Sequence, residues 1–278
     1  MPYPCARLKR RAHCLADENP HIPIGAHRIF YPPKAAGGRN ETEKTMTTSP
    51  PRRSNSEVLT ATLEFQGKKA VDVGCGEGHL VRLMTRHGAK AFGVELNPKQ
   101  LEKAHAEKPV GDEVYYEGRA EDLPFDSDSI DITVFFNSLH HVDVKHMSNA
   151  LAEAARVLKS GGVLYICEPV AKGPHFELMK PVHNETKVRA KAYEALQSAD
   201  ALGLTAEDEF TYIHPAMHKS FAHFKERMLR VNPGREDSFA KLESKLQKAF
   251  DTLGEPADTK GGGFTFDQPM RVNVLTKA

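Results

Sequence analysis

From about residue 56 the chain alternates short apolar runs with stretches of helical period. The run Ala70-Val71-Asp72-Val73 ends in Gly74, and residues 79–86 follow with helical spacing. An apolar run at 91–95, a helical stretch at 98–106 and a strand pattern at 114–117 come next. Residues 130–136 are β-branched and aromatic and predict a buried strand. Ala, Leu and Val recur at helical spacing over 145–158, with Gly161-Gly162 as the expected helix stop. Residues 163–167 form the next strand pattern. Strands alternating with helices of this length predict parallel βαβ units with both sheet faces covered, so a doubly wound α/β domain. After Glu168 the rhythm breaks. Residues 169–204 read as helical, with Phe176, Met179, Val182, Val188, Ala192, Leu196 and Ala199 roughly on one face. A strand at 210–213, helices at 219–230 and 236–252 and a last strand at 272–275 complete the pattern.

Residues 1–55 show no such period. They hold eight of the chain's 18 prolines and ten basic residues against four acids, so this head carries +6 and residues 56–278 carry −5. The overall charge of +1 is therefore a cancellation. The composition predicts a mostly disordered, basic, Pro-rich head: a solvated tail, or upstream sequence before a start at Met46, rather than a nucleic-acid arm, membrane arm or transit peptide. The expected division is a head at 1–55 and a catalytic domain at 56–278. No apolar run approaches the ~18 residues of a membrane span, and no apolar block follows the basic start as in a signal peptide. Cys5, Cys14, Cys75 and Cys167 are scattered, making neither a disulfide framework nor a metal knuckle, which suits a reducing cytoplasm.

Four segments at the ends of successive strands carry the chemistry. Residues 71–78, VDVGCGEG, place Gly74, Gly76 and Gly78 on alternate positions between a strand and a helix. Such a loop brings backbone N–H groups close to a ligand. Its spacing differs from the dinucleotide pattern GxGxxG. The preceding Asp72 would repel a pyrophosphate but attract a cationic ligand. Glu95, in GVEL at 93–96, ends the second strand, where a carboxylate can accept from both hydroxyls of a ribose. GRAEDLPF at 118–125 offers backbone groups and an Asp acceptor to an adenine edge. FFNSLHHV at 135–142 follows the fourth strand. Open α/β sheets bind ligands at these carboxyl ends.

In that order, and with LAEAARVLKSGGVLYI at 151–166, these segments resemble the class I S-adenosylmethionine-dependent methyltransferases, within them the branch of ubiquinone/menaquinone-biosynthesis C-methyltransferases and their small-molecule relatives. The likeness is dense over 68–168. It implies a mostly parallel, seven-stranded Rossmann-like sheet with a helical lid at 169–204, and S-adenosyl-L-methionine as cofactor. It also implies that Asp72, Gly74, Cys75, Gly76 and Gly78 meet the methionine end, that Glu95 holds the ribose and that Leu96 packs beside the adenine. Ala120, Glu121 and Asp122 would meet the adenine, and Asn137 would sit beneath the sulfonium.

Methyl transfer from an activated sulfonium mostly needs alignment and exclusion of water. If the acceptor must lose a proton, His141 and His140 are the candidate bases. His140, His141, Asp143 and His146 crowd together, but adjacent histidines in an extended turn diverge, so no metal is expected. The lid residues His175, Glu177, Met179, Lys180, His183, Asn184 and Tyr193 are candidates for lining the acceptor site, with 210–214 and 221–224 closing its other side. The leading reading is a cytoplasmic enzyme acting on a small molecule. The acidic domain lacks the clustered positive charge of a nucleic-acid binder. An RNA- or protein-modifying enzyme tethered by the head, and a non-catalytic nucleotide-cofactor-binding protein, are the alternatives.

Overall fold

Strands form where apolar residues run consecutively, because both faces of each strand are covered. In the computed structural model, which describes residues 49–258 and 260–278, β1 (Lys69–Val73), β2 (Lys90–Glu95) and β4 (Ile130–Phe136) are buried along nearly their whole length. Between them lie α2 (His79–Arg86), α3 (Pro98–Ala106) and β3 (Val114–Glu117). Then come α4 (Met147–Val157) and β5 (Leu158–Pro169). The sheet runs β3-β2-β1-β4-β5-β8-β6, where β6 spans Leu204–His218 and β8 spans Phe264–Lys277. Strands β1 to β5 pair in parallel, and β8 runs antiparallel to both β5 and β6. A two-residue β7 (Glu255–Pro256) pairs with β8 off this path. The doubly wound, mostly parallel sheet is thus the one the alternation predicts. Its order reverses between β1 and β4, which opens a crevice at their carboxyl ends.

Two apolar layers sandwich the sheet. On one face α4 inserts Ala150, Leu151 and Ala154 against Val71, Val73 and Phe135, and α6 (Thr186–Leu196) adds Ala192 and Leu196. On the other, α1 (Asn55–Thr62) supplies Val58 and Leu59, which join Val81 and Met84 of α2 against Val134 and Tyr165. A third cluster packs α5 (Pro174–Met179), α7 (Phe221–Val231) and α8 (Glu236–Leu253) on Phe266 of β8, around Phe224, Phe239 and Phe250.

Several boundaries differ from the sequence pattern. Helix α4 ends at Val157, and Leu158 is already extended and pairs with Ile130. Gly161, at φ +71°, therefore serves an irregularity inside β5 and not a helix stop. The ribbon β6–β8 is far longer than its apolar centres, because β6 carries Glu207, Asp208 and Glu209 on an edge strand where polar side chains face water. Residues 1–48, most of the expected head, lie outside the described residues. Its last residues join the fold: Ile213 N–H donates to Pro51 O and Arg53 N–H to Ile213 O, each at 2.9 Å. Ser54 then caps α1 in a reciprocal pair with Glu57, a capping box readable as Ser-x-x-Glu.

Leu151 is fully buried between α4 and the sheet. Leu151→Ala is expected to cost about 2–5 kcal/mol, measured as a lowered urea midpoint at unchanged m-value.

Candidate active site

The crevice at the ends of β1, β2 and β4 opens into a cleft of about 430 Å³. Gly74 sits at φ +79°, and a Cβ there would lie 2.6 Å from Ser138 Cβ, so the loop after β1 can approach the loop after β4 only as glycine. Gly76 N–H donates to Glu95 Oε2 at 2.9 Å, and Asn97 N–H donates to Glu95 Oε1 at 2.8 Å. Glu95 thereby ties the glycine loop to the end of β2. Asp72, one register behind the loop, is buried, and its Oδ1 has no hydrogen-bond partner. Burial, followed by the nearby Glu95 charge, pushes its carboxyl up to about 8.

Of the residues expected to hold a ligand, Gly74, Gly76, Glu95, Leu96, Ala120 and Glu121 line this cleft. Leu96 lies half exposed at its rim. Others stand elsewhere. Cys75 points into the core under α2, where burial raises its thiol. Gly78 caps α2 in the left-handed region, with the Tyr115 ring where a Cβ would lie. Asp122 is exposed, and its N–H closes a turn onto Arg119 O. Asn137, at φ +54°, lines a second cavity and leaves its Oδ1 unpartnered. Gln100, Ser138 and Asp143 line the cleft without having been foreseen for it, and Gln100 Oε1 and Ser138 Oγ also lack partners. Buried polar atoms normally find partners. Four orphans in or beside one crevice (Asp72, Gln100, Asn137, Ser138) fit a polar, cationic occupant better than an empty structural gap.

The second cavity, about 370 Å³, adjoins the first, and His141 faces both. Residues Leu139–His141 form a 3₁₀ turn, not an extended one, so the rings of His140 and His141 lie 4.1 Å apart, centre to centre. His140 is buried between two carboxylates, its Nδ1 on Glu168 and its Nε2 3.6 Å from Glu185. Burial pulls its pKa down, but the hydrogen bonds to Glu168 and Glu185 more than reverse this, to about 9. His141 is lowered to about 4, by burial and then by the charge on His140. The adjacent histidines are thus split into a held cation and a neutral imidazole. Glu185 was not foreseen, although it begins the helix carrying Arg189, which donates to its Oε2 at 2.6 Å. His175, Met179, His183 and His214 also face this cavity. Tyr193 faces a different one, Glu177 and Lys180 are exposed and paired, and Asn184 caps the turn before α6.

The acidic crevice lies at the switch point of a doubly wound sheet, the place where open α/β domains bind ligands. Residues 71–166 match the family described as "Methyltransferase domain". The chain is 30% identical over 102 residues to an uncharacterised methyltransferase of Synechocystis, covering 37% of this chain and 47% of that protein. It is 32% identical over 117 residues to the demethylmenaquinone methyltransferase of Tropheryma whipplei, covering 42% and 47%. It is 28% identical over 173 residues to the 27-O-demethylrifamycin SV methyltransferase of Amycolatopsis mediterranei, covering 57% and 63%. The chain thus spans about half the length of the first two of these relatives. The YcgJ protein of Bacillus subtilis shares the fold, with a TM-score of 0.57 at 23% identity over 80% of this chain and 98% of that one. Over residues 71–166 the chain is therefore similar to methyltransferase domains. Among the described residues no helix is long and apolar enough to cross a membrane.

The Asp72 shift has a sign that can be measured. Its folded pKa lies above its unfolded value, so the native state keeps a proton that the unfolded chain releases from about pH 4 upward. Stability contributed by that proton is present below pH 4 and is lost as pH rises towards 8. Asp72→Asn is expected to flatten this loss and to make the ligand-free protein more stable than wild type at pH 8. Parallel urea titrations at pH 5 and pH 8 check this, and equal pH dependence in both proteins would reject the buried-acid assignment.

Proposed function

We propose that the protein transfers the methyl group of S-adenosylmethionine to a small-molecule acceptor held in the second cavity. The observation that carries this reading is the junction itself, where an acidic cleft and a second, arginine-walled cavity meet at His141. The relatives named for menaquinone and rifamycin methylation favour a small acceptor over a macromolecule.

The cofactor brings an already activated methyl group, so the protein's task is placement. Glu95 supplies the negative charge that a cationic ligand requires, and Asp72, protonated near pH 7 without that ligand, ionises beside it when the cation lowers its pKa. Each Glu95 oxygen already accepts one backbone N–H and retains a lone pair for a ribose hydroxyl. Ala120 and Glu121 flank the adenine end, and Leu96 covers the rim. Asn137 and Ser138 offer their unpartnered oxygens where the two spaces meet. His141, neutral near pH 7, accepts a hydrogen bond or a proton from the acceptor. His140 cannot do so while Glu168 and Glu185 keep it charged, so it positions its neighbour instead. The helices of 169–204 close the acceptor side and exclude water.

Glu95→Ala removes a charge-assisted contact worth about 1.5–3 kcal/mol. It is therefore expected to weaken cofactor binding on the order of 10–100-fold by calorimetry, and wild-type affinity would reject the assignment. Incubation of the protein with methyl-labelled cofactor and a metabolite extract is expected to yield a labelled small product. Label in RNA or protein would overturn the small-molecule reading. Binding of NAD(H) in place of S-adenosylmethionine would overturn the methyltransferase reading.

A further inference from the structure

The two adjoining cavities carry opposite charge. The cofactor cleft is walled by Glu95, Glu121 and Asp143 with Arg119 as its one lysine-or-arginine cation. Among the described residues the second cavity is walled by Arg189, Arg227 and Arg235 with Glu185 as its one carboxylate. That carboxylate is already committed: Oε2 accepts from Arg189 and Oε1 from His183, each at 2.6 Å. Arg189 is therefore neutralised, and the other two guanidiniums are not.

Arg235 is the more telling of these. It lies in the 3₁₀ turn between α7 and α8 and is only 9% exposed. Its Nη2 donates to His183 Nδ1 at 2.9 Å, so His183 turns its other N–H towards Glu185. Burial lowers its pKa. Arg227 reaches the cavity from α7. Among the described residues neither arginine has a carboxylate within ion-pairing distance. For Arg235, burying a guanidinium without a counter-charge is unfavourable; Arg227 is exposed, and the planar fork of each matches a carboxylate or phosphate in particular. The neighbouring imidazoles add no second carboxylate's worth of balance. His175 and His218 stack at 9° with Nε2 atoms 3.3 Å apart, and burial first, then neighbouring cations, holds them to about 4 and 3. They are neutral near pH 7. Met179, Met217, Met228 and Met270 give the wall a soft apolar part that takes varied shapes.

His140, His141 and Glu185 also bring three possible metal-binding atoms within 4.8 Å of one another. A dication there would face three arginines and compete with His183 and Arg189 for Glu185. The charges favour an anion instead.

We propose that the methyl acceptor is a small apolar molecule bearing an oxyanion, a carboxylate or a phosphate ester, anchored by Arg235 and Arg227. This deepens the methyltransferase reading above and rests on it for the ligand's role as acceptor. The test uses the full chain with and without saturating S-adenosylhomocysteine, and calorimetry with benzoate, phenyl phosphate and the neutral benzamide. At least one anion is expected to bind about tenfold or more tightly than benzamide, with affinity falling as salt rises. Benzoate against phenyl phosphate distinguishes a carboxylate from a phosphate. Arg235→Gln and, separately, the exposed Arg227→Gln are each expected to shrink the preference at least severalfold while S-adenosylhomocysteine affinity stays at wild type. That retained affinity reports an intact fold, and Arg227→Gln decides the matter should Arg235→Gln misfold. Equal binding of benzamide and both anions, no binding of either anion, or a preference untouched in both variants would overturn the proposal. Failure of S-adenosylhomocysteine to bind wild type would overturn the methyltransferase reading instead, and the probe titrations without it would still decide the anion site.

Discussion

The Glu95 carboxylate binds the Gly76 N–H with one oxygen and the Asn97 N–H with the other, and the geometry of the crevice follows from that grip. Without it the glycine loop would have no fixed distance from the end of β2. Its cost is local. Burial, with the Glu95 charge beside it, keeps Asp72 protonated near pH 7, in a place that would suit a cation. The fold therefore stores an unfavourable arrangement at the place where a cationic ligand would relieve it. A ligand that binds the folded state there would add stability by linkage.

A second carboxylate organises the other half of the site. Glu185 stands at the start of α6 and gathers Arg189, His183 and the Nε2 side of His140 around its two oxygens. Those partners come from the turn after β4, the segment after α5 and the lid helix itself. One buried acid thus fastens the helical segment 169–204 to the turn after β4, and through the charge on His140 it adds to the effect of burial in keeping His141 neutral. The two cavities meet at that pair of rings.

The sequence made β1 to β5 legible because parallel interior strands are apolar on both faces and are separated by helices of regular period. The glycine loop and Glu95 were legible for a related reason: they lie within a few residues of strand ends that the pattern locates. Asp122 stands exposed outside the cleft's lining, and along the chain an acid in a turn looks the same whether it faces a ligand or water. Cys75 sat in the right loop, but only the pleat decides that its side chain enters the core. The second cavity was largely invisible. His140 and His141 stood out, yet Arg189, Arg227 and Arg235 come from three elements, and no spacing along the chain links them to Glu185. The long β6–β8 ribbon was hidden by its edge position, which makes acidic residues compatible with a strand.

That edge gives the first described residues a further meaning. Pro51 to Arg53 pair with Ile213 on the open side of β6, while Arg52 reaches Asp267 and Glu255 from the same segment. The chain thus uses its own approach to α1 to occupy backbone groups that a foreign strand could otherwise claim. A domain trimmed to begin at residue 56 would lose this pairing and leave the backbone groups of Ile213 uncovered at the edge.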